Sequence, residues 1–403
     1  MESDRIMEKF EADKKRYDVL RKVFGKVICR TLGYSCPVCD PACGPMLVVS
    51  NHNTDFDPIF VGMSFKDHMY FVASEHIFRW GLISRLLDHV FSPIARRKGT
   101  TDAQAAMQIM RRLRAGQNVC LFAEGNRSFN GVTGPIFPAT GKLARAAKAS
   151  LVTFRMQGGY LLTPRWATER RHGTVTGGLV HVYSNEELKK MTDAQIEAAI
   201  ENDLREDAFE RQKAEMCPYP GKRLAEGLEN ALYICPKCGA IGKLKGSKND
   251  FNCACGFSVR LDEYGFFAGE DLPFENVRDW DAWQNEQMTG LVENAIQSPD
   301  DQLFSDEDQR LMRLSADHGM TEVAFGKLAA SANGISVGDT FIPFEEISDM
   351  ALVGRNNIVF NAGTVSYEIR AKKRFRCCGR KYLTLYHTVK EQRASAQRDI
   401  AVS

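Results

Sequence analysis

MLVVSNHNTDFDPIF, residues 46–60, decides how this chain folds. The run 46–50 is short and apolar, the next residues are polar and turn-forming, and Pro58 opens a second apolar segment. A run of that length closed by turn residues reads as a buried strand, and a strand giving way to a helix is the unit of an α/β layer. The unit recurs. Further strands are expected at 69–73, 119–123, 151–155 and 179–183, with helices at 80–90, 101–115 and 141–149. Gly116 closes the second of these helices, as a C-terminal glycine does. The expected fold class is α/β, a layered sheet-and-helix domain over residues 36–216, with 185–215 as capped, charged, solvent-facing helix.

Upstream, residues 1–35 carry a helical stripe of Ile6, Phe10, Tyr17, Leu20, Phe24, Val27 and Ile28. Between Glu11 and Ser35 seven basic residues face three acidic ones, a local +4. Such an amphipathic helix either lies on an anionic membrane surface or packs on its own domain. Across the 403 residues, 53 Lys and Arg balance 51 Asp and Glu, which excludes a polyacidic tail or a nucleic-acid coat. No stretch free of Asp, Glu, Lys and Arg exceeds 14 residues, as in 41–54 and 128–141, whereas a spanning helix needs roughly 18–20 apolar residues. The start, MESDRIMEKF, lacks the basic-then-apolar form of a secretory signal. A cytoplasmic protein, peripherally associated with the inner face of the membrane, is the expectation.

Downstream the composition shifts. CPYPGK at 217–222 reads as a linker, followed by a cysteine-rich insert at 230–265. Residues 272–320 are acidic and read as a helical linker. From 322 to 403 the chain is strand-rich with turn glycines, KYLTLYHT at 381–388 being the last strand-like run and a final helix following from Val389. In the insert, Cys235, Cys238, Cys253 and Cys255 are spaced C-x2-C-x14-C-x-C, each pair followed by glycine. Two thiolate knuckles of this spacing suit a structural, tetrahedral zinc ion, with all four positions filled by protein and none left for catalysis. The insert is too short for a core of its own, so the metal would supply much of its folding energy.

Of eight histidines, only His52 has an Asp five residues on, Asp57. A histidine at a strand's end with a carboxylate one helical turn away forms a hydrogen-bonded pair. The acid fixes the imidazole tautomer and stabilises the imidazolium once a proton is taken. That is what a general base acting on an alcohol needs. LFAEGNRSFNG follows seventy residues later, with Glu124, Gly125 and Arg127 on a tight turn where backbone can approach a ligand and a guanidinium can grip a phosphate. Between them lies FSPIARRKG, and from Ile94 to Arg127 seven basic residues face two acidic ones. A local +5 favours an anionic substrate.

The order NHxxxxD, apolar I-x-R, FxEGxRS and an apolar strand after an A-R-A-A-K-A helix resembles the lysophospholipid (glycerolipid) acyltransferase family, which includes 1-acylglycerol-3-phosphate O-acyltransferases. The resemblance covers roughly residues 25–200. It implies that His52 deprotonates a glycerolipid hydroxyl, which attacks the thioester of acyl-CoA or acyl-carrier protein, with Asp57 orienting His52. Arg96, Glu124, Gly125 and Arg127 would help place a phosphate-bearing lysophospholipid acceptor, and no catalytic cofactor is required. The expected reaction is 1-acylglycerol-3-phosphate to phosphatidic acid. The alternatives are another acceptor, such as glycerol-3-phosphate or a different lysophospholipid, or a non-catalytic lipid- or nucleic-acid-binding adaptor; nucleic acid is the less favoured partner. Ala95, Ala123 and Asn126 stand where the family often has an acid, Pro and Thr.

Three further motifs need a reading. Cys36, Cys39 and Cys43, with Cys29 upstream, would hold a second metal, act as a redox switch or be reduced thiols. Gly334–Ile335–Ser336–Val337–Gly338 fits the serine-hydrolase pattern, but its setting is strand–turn–strand rather than the strand–turn–helix elbow that chemistry needs. The β-rich C-terminal region loosely resembles pleckstrin-homology or GRAM modules. Lys372, Lys373, Arg374, Arg376, Arg380 and Lys381 are expected around one loop, either gripping anionic headgroups or solvated.

Overall fold

The computed structural model of the chain describes residues 2–74, 92–96, 103–137, 139–270, 272–315, 319–372 and 377–402. They form two compact units, Met1–Arg165 with Arg170–Gly221, and Trp166–Glu169 with Lys222–Ser403.

In the first unit, helix α1 (Glu2–Leu32) runs into strand β1 (Tyr34–Ser35). Strands β2 (Met46–Ser50), β3 (Met69–Ser74), β4 (Ile94–Arg96), β5 (Asn118–Phe122), β6 (Ser150–Gln157) and β7 (Val175–Tyr183) complete one seven-stranded sheet in the order β1-β7-β6-β2-β5-β3-β4. β2 is parallel to both of its neighbours, with Ser50 opposite Phe122 of β5 and Phe154 of β6. Every residue of β2 and β5 is buried, as parallel strands covered on both faces require. Helices α2 (Asp57–Ser64), α3 (Ala103–Arg114) and α4 (Ala139–Ala146) follow their strands, confirming the alternation read from the sequence. The helix expected at 80–90 lies outside the described residues.

After α5 (Gly159–Leu162) come α6 (Asn185–Lys190), α7 (Asp193–Leu204) and α8 (Ala208–Glu215). Capping boxes Ser184/Glu187 and Thr192/Gln195 start the first two of these three. Their expected solvent-facing character holds on one side only. Leu188, Ile196, Ile200 and Leu204 are buried in the core with Leu47, Val49, Val119, Leu121 and Leu151, because an apolar stripe runs through the charged sequence. One face of α1 also packs inward. Tyr17 is buried, and the buried Asp13 carboxylate accepts from Tyr70 Oη (3.0 Å) and Arg16 Nη2 (2.8 Å). Val19, Val23, Phe24 and Val27 of the same helix are each more than half exposed. Among the described residues no helix is long and apolar enough to cross a membrane.

The second unit contains a four-stranded ribbon, β8 (Leu244–Ser247), β9 (Asp250–Cys253), β10 (Ser258–Leu261) and β11 (Phe267–Ala268), then helix α9 (Val277–Ala295). Trp280 of α9 is buried among Phe251, Phe257, Phe267 and Phe274, with ring centroids 5.5–5.8 Å away. The ribbon's hydrophobic core is thus completed by a helix from outside the insert.

Seven antiparallel strands follow: β12 (Phe304–Leu314), β13 (Met320–Ala330), β14 (Gly334–Val337), β15 (Thr340–Pro343), β16 (Ile347–Val353), β17 (Asn357–Ala362) and β18 (Val365–Ala371). Their order is β15-β14-β13-β12-β18-β17-β16, closed by helix α10 (Gly379–Val402). Two expectations fail here. The acidic helix read over 272–320 ends at Ala295, and 304–314 is strand, its acidic residues sitting between the buried Phe304, Gln309 and Leu311. KYLTLYHT is helix rather than strand, since Tyr382, Leu385, Tyr386 and Val389 are buried at i, i+3, i+4 and i+7.

The basic loop is corrected as well. Arg380 Nη2 pairs with Asp281 at 2.6 Å and the buried Lys381 Nζ pairs with Asp306 at 2.9 Å, so both cations are spent inside the unit. Lys373, Arg374 and Arg376 lie outside the described residues, and Lys372 Nζ sits 4.7 Å over the Phe325 ring. Ser336 lies in the β14–β15 hairpin opposite Phe341, which is no nucleophile elbow.

Candidate active site

The pairing of β2 with β5 brings two motifs seventy residues apart to one end of the sheet. His52 leaves the C-terminal end of β2 and Glu124 that of β5, the crevice where open α/β sheets hold their ligands. His52 Nδ1 lies 2.7 Å from Asp57 Oδ2. The same carboxylate accepts the backbone N–H groups of Asn53 (2.7 Å) and Thr54 (2.9 Å) and the Thr54 hydroxyl (2.8 Å). All of these partners are donors to a wholly buried acid, so Nδ1 carries the ring proton and Nε2 keeps the lone pair. The imidazole stacks on Phe122, centroids 4.5 Å apart, and its side chain stays 22% exposed. A ring held at Nδ1, stacked on one face and still partly exposed can take a proton from an alcohol at Nε2.

Glu124 is buried and turned inward. Its Oε1 accepts the His52 backbone N–H and its Oε2 the Gly134 N–H, each at 2.6 Å. Expected among the substrate-binding residues, it is tied here to the backbone of His52. Burial raises its carboxyl to about 8, against the pull of those two N–H groups. Gly125, at φ +67°, holds the turn; a Cβ there would run into the ring of Phe137 as well as strain the backbone. Arg96 lies 4.0 Å over that same ring, which brings the second motif to the third. Arg127 Nη1 is 3.3 Å from Asp55 Oδ2, and the Arg127 carbonyl accepts from Arg165.

Sequence reasoning missed the layer beneath His52. Glu206, in the turn between α7 and α8, is buried, and its carboxylate accepts from Asn51 Nδ2 (3.2 Å), Asn53 Nδ2 and Gly158 N–H (2.9 Å). Burial raises it to about 7. Nothing local in LREDAFE separates this acid from its solvated neighbours, and only the tertiary contact reveals it.

In the second unit the four ribbon sulfurs lie within 4.8 Å of one another, with Cys235–Cys255 at 3.7 Å and Cys238–Cys253 at 3.8 Å. Tetrahedral thiolates about 2.3 Å from zinc stand about 3.8 Å apart, the separation of these two pairs, so the set fits that ion. Gly239 and Gly256 have φ of +69° and +86°, and their N–H groups return to the carbonyls of Cys235 and Cys253 to close the knuckles. Among the described residues no other His, Cys, Asp and Glu side chains converge as a metal-holding group. Cys36, Cys39 and Cys43 are free and half-buried, and Cys377 and Cys378 free and buried.

Residues 40–157 match the family model described as Acyltransferase, a segment that holds His52, Asp57, Arg96, Glu124, Gly125 and Arg127. The match supports acyl transfer as the chemistry of this site and leaves the second unit outside it. Among solved structures the chain is similar to the 1-acyl-sn-glycerophosphate (LPA) acyltransferase PlsC of Thermotoga maritima, at 16% identity and a TM-score of 0.41, over 52% of this chain and 83% of that one. No curated protein matches the chain.

The metal centre predicts about one zinc per chain by elemental analysis, lost in Cys238→Ser. A chain purified with zinc supplied and holding none would exclude the assignment. Glu124 predicts a pH effect. Its ordinary carboxyl value of 4.5 rises to about 8 on folding, so the folded protein holds this proton the more tightly. The stability it contributes is complete below the unfolded value and lost as pH climbs through about 8. Urea unfolding between about pH 5 and 8 should therefore show wild type losing more stability than Glu124→Gln; parallel losses would mean that the carboxylate is ionised throughout.

Proposed function

We propose that the first unit is an O-acyltransferase that moves a fatty acyl group from acyl-CoA or acyl-carrier protein to the hydroxyl of a lysophospholipid, with 1-acylglycerol-3-phosphate as acceptor and phosphatidic acid as product. The His52–Asp57 pair carries the reading, because it presents an unprotonated Nε2 at the mouth of the sheet. His52 takes the proton of the acceptor hydroxyl as its oxygen attacks the thioester carbonyl. The tetrahedral intermediate then collapses and the C–S bond breaks. The thiolate leaves with the proton His52 had taken, and Asp57 stabilises the imidazolium between the two transfers. Arg96 and Arg127 supply positive charge for the acceptor's phosphate.

The protein acts at the cytoplasmic face of a membrane, held peripherally. The exposed stripe of Val19, Val23, Phe24 and Val27 on α1, with Lys15, Lys22, Lys26 and Arg30 exposed around it, supports this docking. The seven antiparallel strands of 304–371 followed by one helix support a pleckstrin-homology/GRAM-like reading of the C-terminal region.

Acyl transfer from labelled acyl-CoA or acyl-carrier protein to a panel of lysophospholipids and glycerol-3-phosphate tests the reaction. Wild type should acylate 1-acylglycerol-3-phosphate, and His52→Ala should lose roughly 10²–10⁴-fold or more in kcat. Activity surviving that change would overturn the mechanism. Preference for a different acceptor would correct the substrate, and no transfer by wild type to any acceptor would favour the adaptor. Flotation with anionic vesicles tests the docking. Phe24→Glu should release the protein, and binding to neutral vesicles should be weaker; equal binding by wild type and variant would remove α1 from the membrane contact.

A further inference from the structure

Two buried carboxylates grip the chain on either side of His52. Glu124 takes the His52 N–H, while Glu206 takes the side-chain amides of the two flanking residues, Asn51 and Asn53. The Asn51 amide is also locked to the end of β6, accepting Met156 N–H and donating to Met156 C=O, both at 2.8 Å. The two acids are tied to each other. Glu206 and Thr133 exchange backbone hydrogen bonds, through Thr133 N–H to Glu206 C=O and Glu206 N–H to Thr133 Oγ1, each 2.9 Å. The next residue, Gly134, donates to Glu124. His52 thus stands in a closed ring of hydrogen bonds whose far side is a residue 154 positions later in the chain.

We propose that Glu206 is a positioning residue for His52: its carboxylate, by holding Asn51 and Asn53, sets the direction in which Nε2 meets the acceptor hydroxyl. The argument is one of donors and acceptors. Asn51 Nδ2, Asn53 Nδ2 and Gly158 N–H are all donors, and the two carboxyl oxygens of Glu206 take the three between them, Oε2 the amides and Oε1 the Gly158 N–H. A glutamine of the same shape must aim its NH2 at one of those donors. Glu206 reaches the base through other residues, by Asn51 and Asn53 on one side and by Thr133, Gly134 and Glu124 on the other, so its effect falls on the geometry of His52.

This inference rests on the acyl-transfer reading, and the experiment separates the two. In full-length protein, Glu206→Gln should lower kcat about 10–100-fold with the acceptor KM changed by no more than about twofold. Adding Asn53→Asp reverses donor and acceptor across the Asn53 half of the contact, while Asn51 Nδ2 still faces the new amide, and should recover part of that loss. The downfield proton signal of the hydrogen-bonded His52 Nδ1–H, assigned by its loss in His52→Ala, gives a readout independent of turnover. It should broaden or shift in Glu206→Gln and return in part in the double variant. Should Glu206→Gln not fold, Glu206→Asp keeps the charge but withdraws it from Asn53, and should show the same loss of kcat. Unchanged kcat with an unchanged signal would overturn the proposal. A fall in kcat matched by a fall in melting temperature, with no recovery in the double variant, would reduce Glu206 to a fold residue. Wild type inactive on every acceptor would sink the acyl-transfer reading, leaving the imidazole signal alone to decide Glu206.

Discussion

β2 ends at Ser50, and the backbone beyond it leaves the sheet with its N–H groups still buried. A buried donor without an acceptor costs about 1–3 kcal/mol, so a fold that sends several into the interior must answer each. Here the answer is carboxylate. His52 N–H goes to Glu124, and Asn53 and Thr54 N–H both go to Asp57. The oxygen that receives two of these N–H groups is also the one that holds Nδ1 of the imidazole. Local backbone satisfaction and the orientation of the base are therefore one arrangement. It exists because β2 and β5 pair in register and deliver Glu124 opposite the strand end.

The second unit solves a different burial problem. A cysteine ribbon of four short strands cannot fill its own interior, and α9 supplies what is missing. Trp280 fills the centre, with its Nε1–H on the Ile234 carbonyl, and Gln284 accepts Tyr233 N–H. Arg380 of α10 reaches the Ala231 carbonyl and pairs with Asp281 of α9. Ribbon, α9 and the helix closing the β-rich region are joined through a buried ion pair. Removing one member of such a pair leaves a charge uncompensated, which costs about 3–5 kcal/mol. A zinc ion held by the four cysteines would add to these supports of the ribbon.

What the sequence disclosed follows from how local each signal is. His52 and Asp57 sit five residues apart beside an unmistakable strand, and the cysteines carry their geometry in their spacing. Arg380 and Lys381 read as surface cations because their partners, Asp281 and Asp306, are 99 and 75 positions away and carry no mark of burial. KYLTLYHT misled through its aromatic, strand-favouring composition, which the helical spacing of its buried residues overrode. Glu206 was invisible for the same reason as Asp281: a buried acid differs from a solvated one only in what the fold brings to it.

The charges of the first unit divide by whether they can be exchanged. Asp57, Glu124 and Glu206 are committed to hydrogen bonds within the buried frame. The cations are held more loosely. Arg96 rests on an aromatic face, and Arg127 is paired with Asp55, whose side chain is 75% exposed. The Arg127 side chain is itself only 13% exposed and also reaches the Thr163 carbonyl at 3.4 Å, so Asp55 is the solvent-facing half of the pair. A phosphate carrying greater charge and more acceptor oxygens can take the place of Asp55 on Arg127. The frame that aims His52 is rigid, while the charge available to an anionic acceptor sits behind a carboxylate that yields to it. That division lets the proposed acceptor bind without disturbing the base that acts on it.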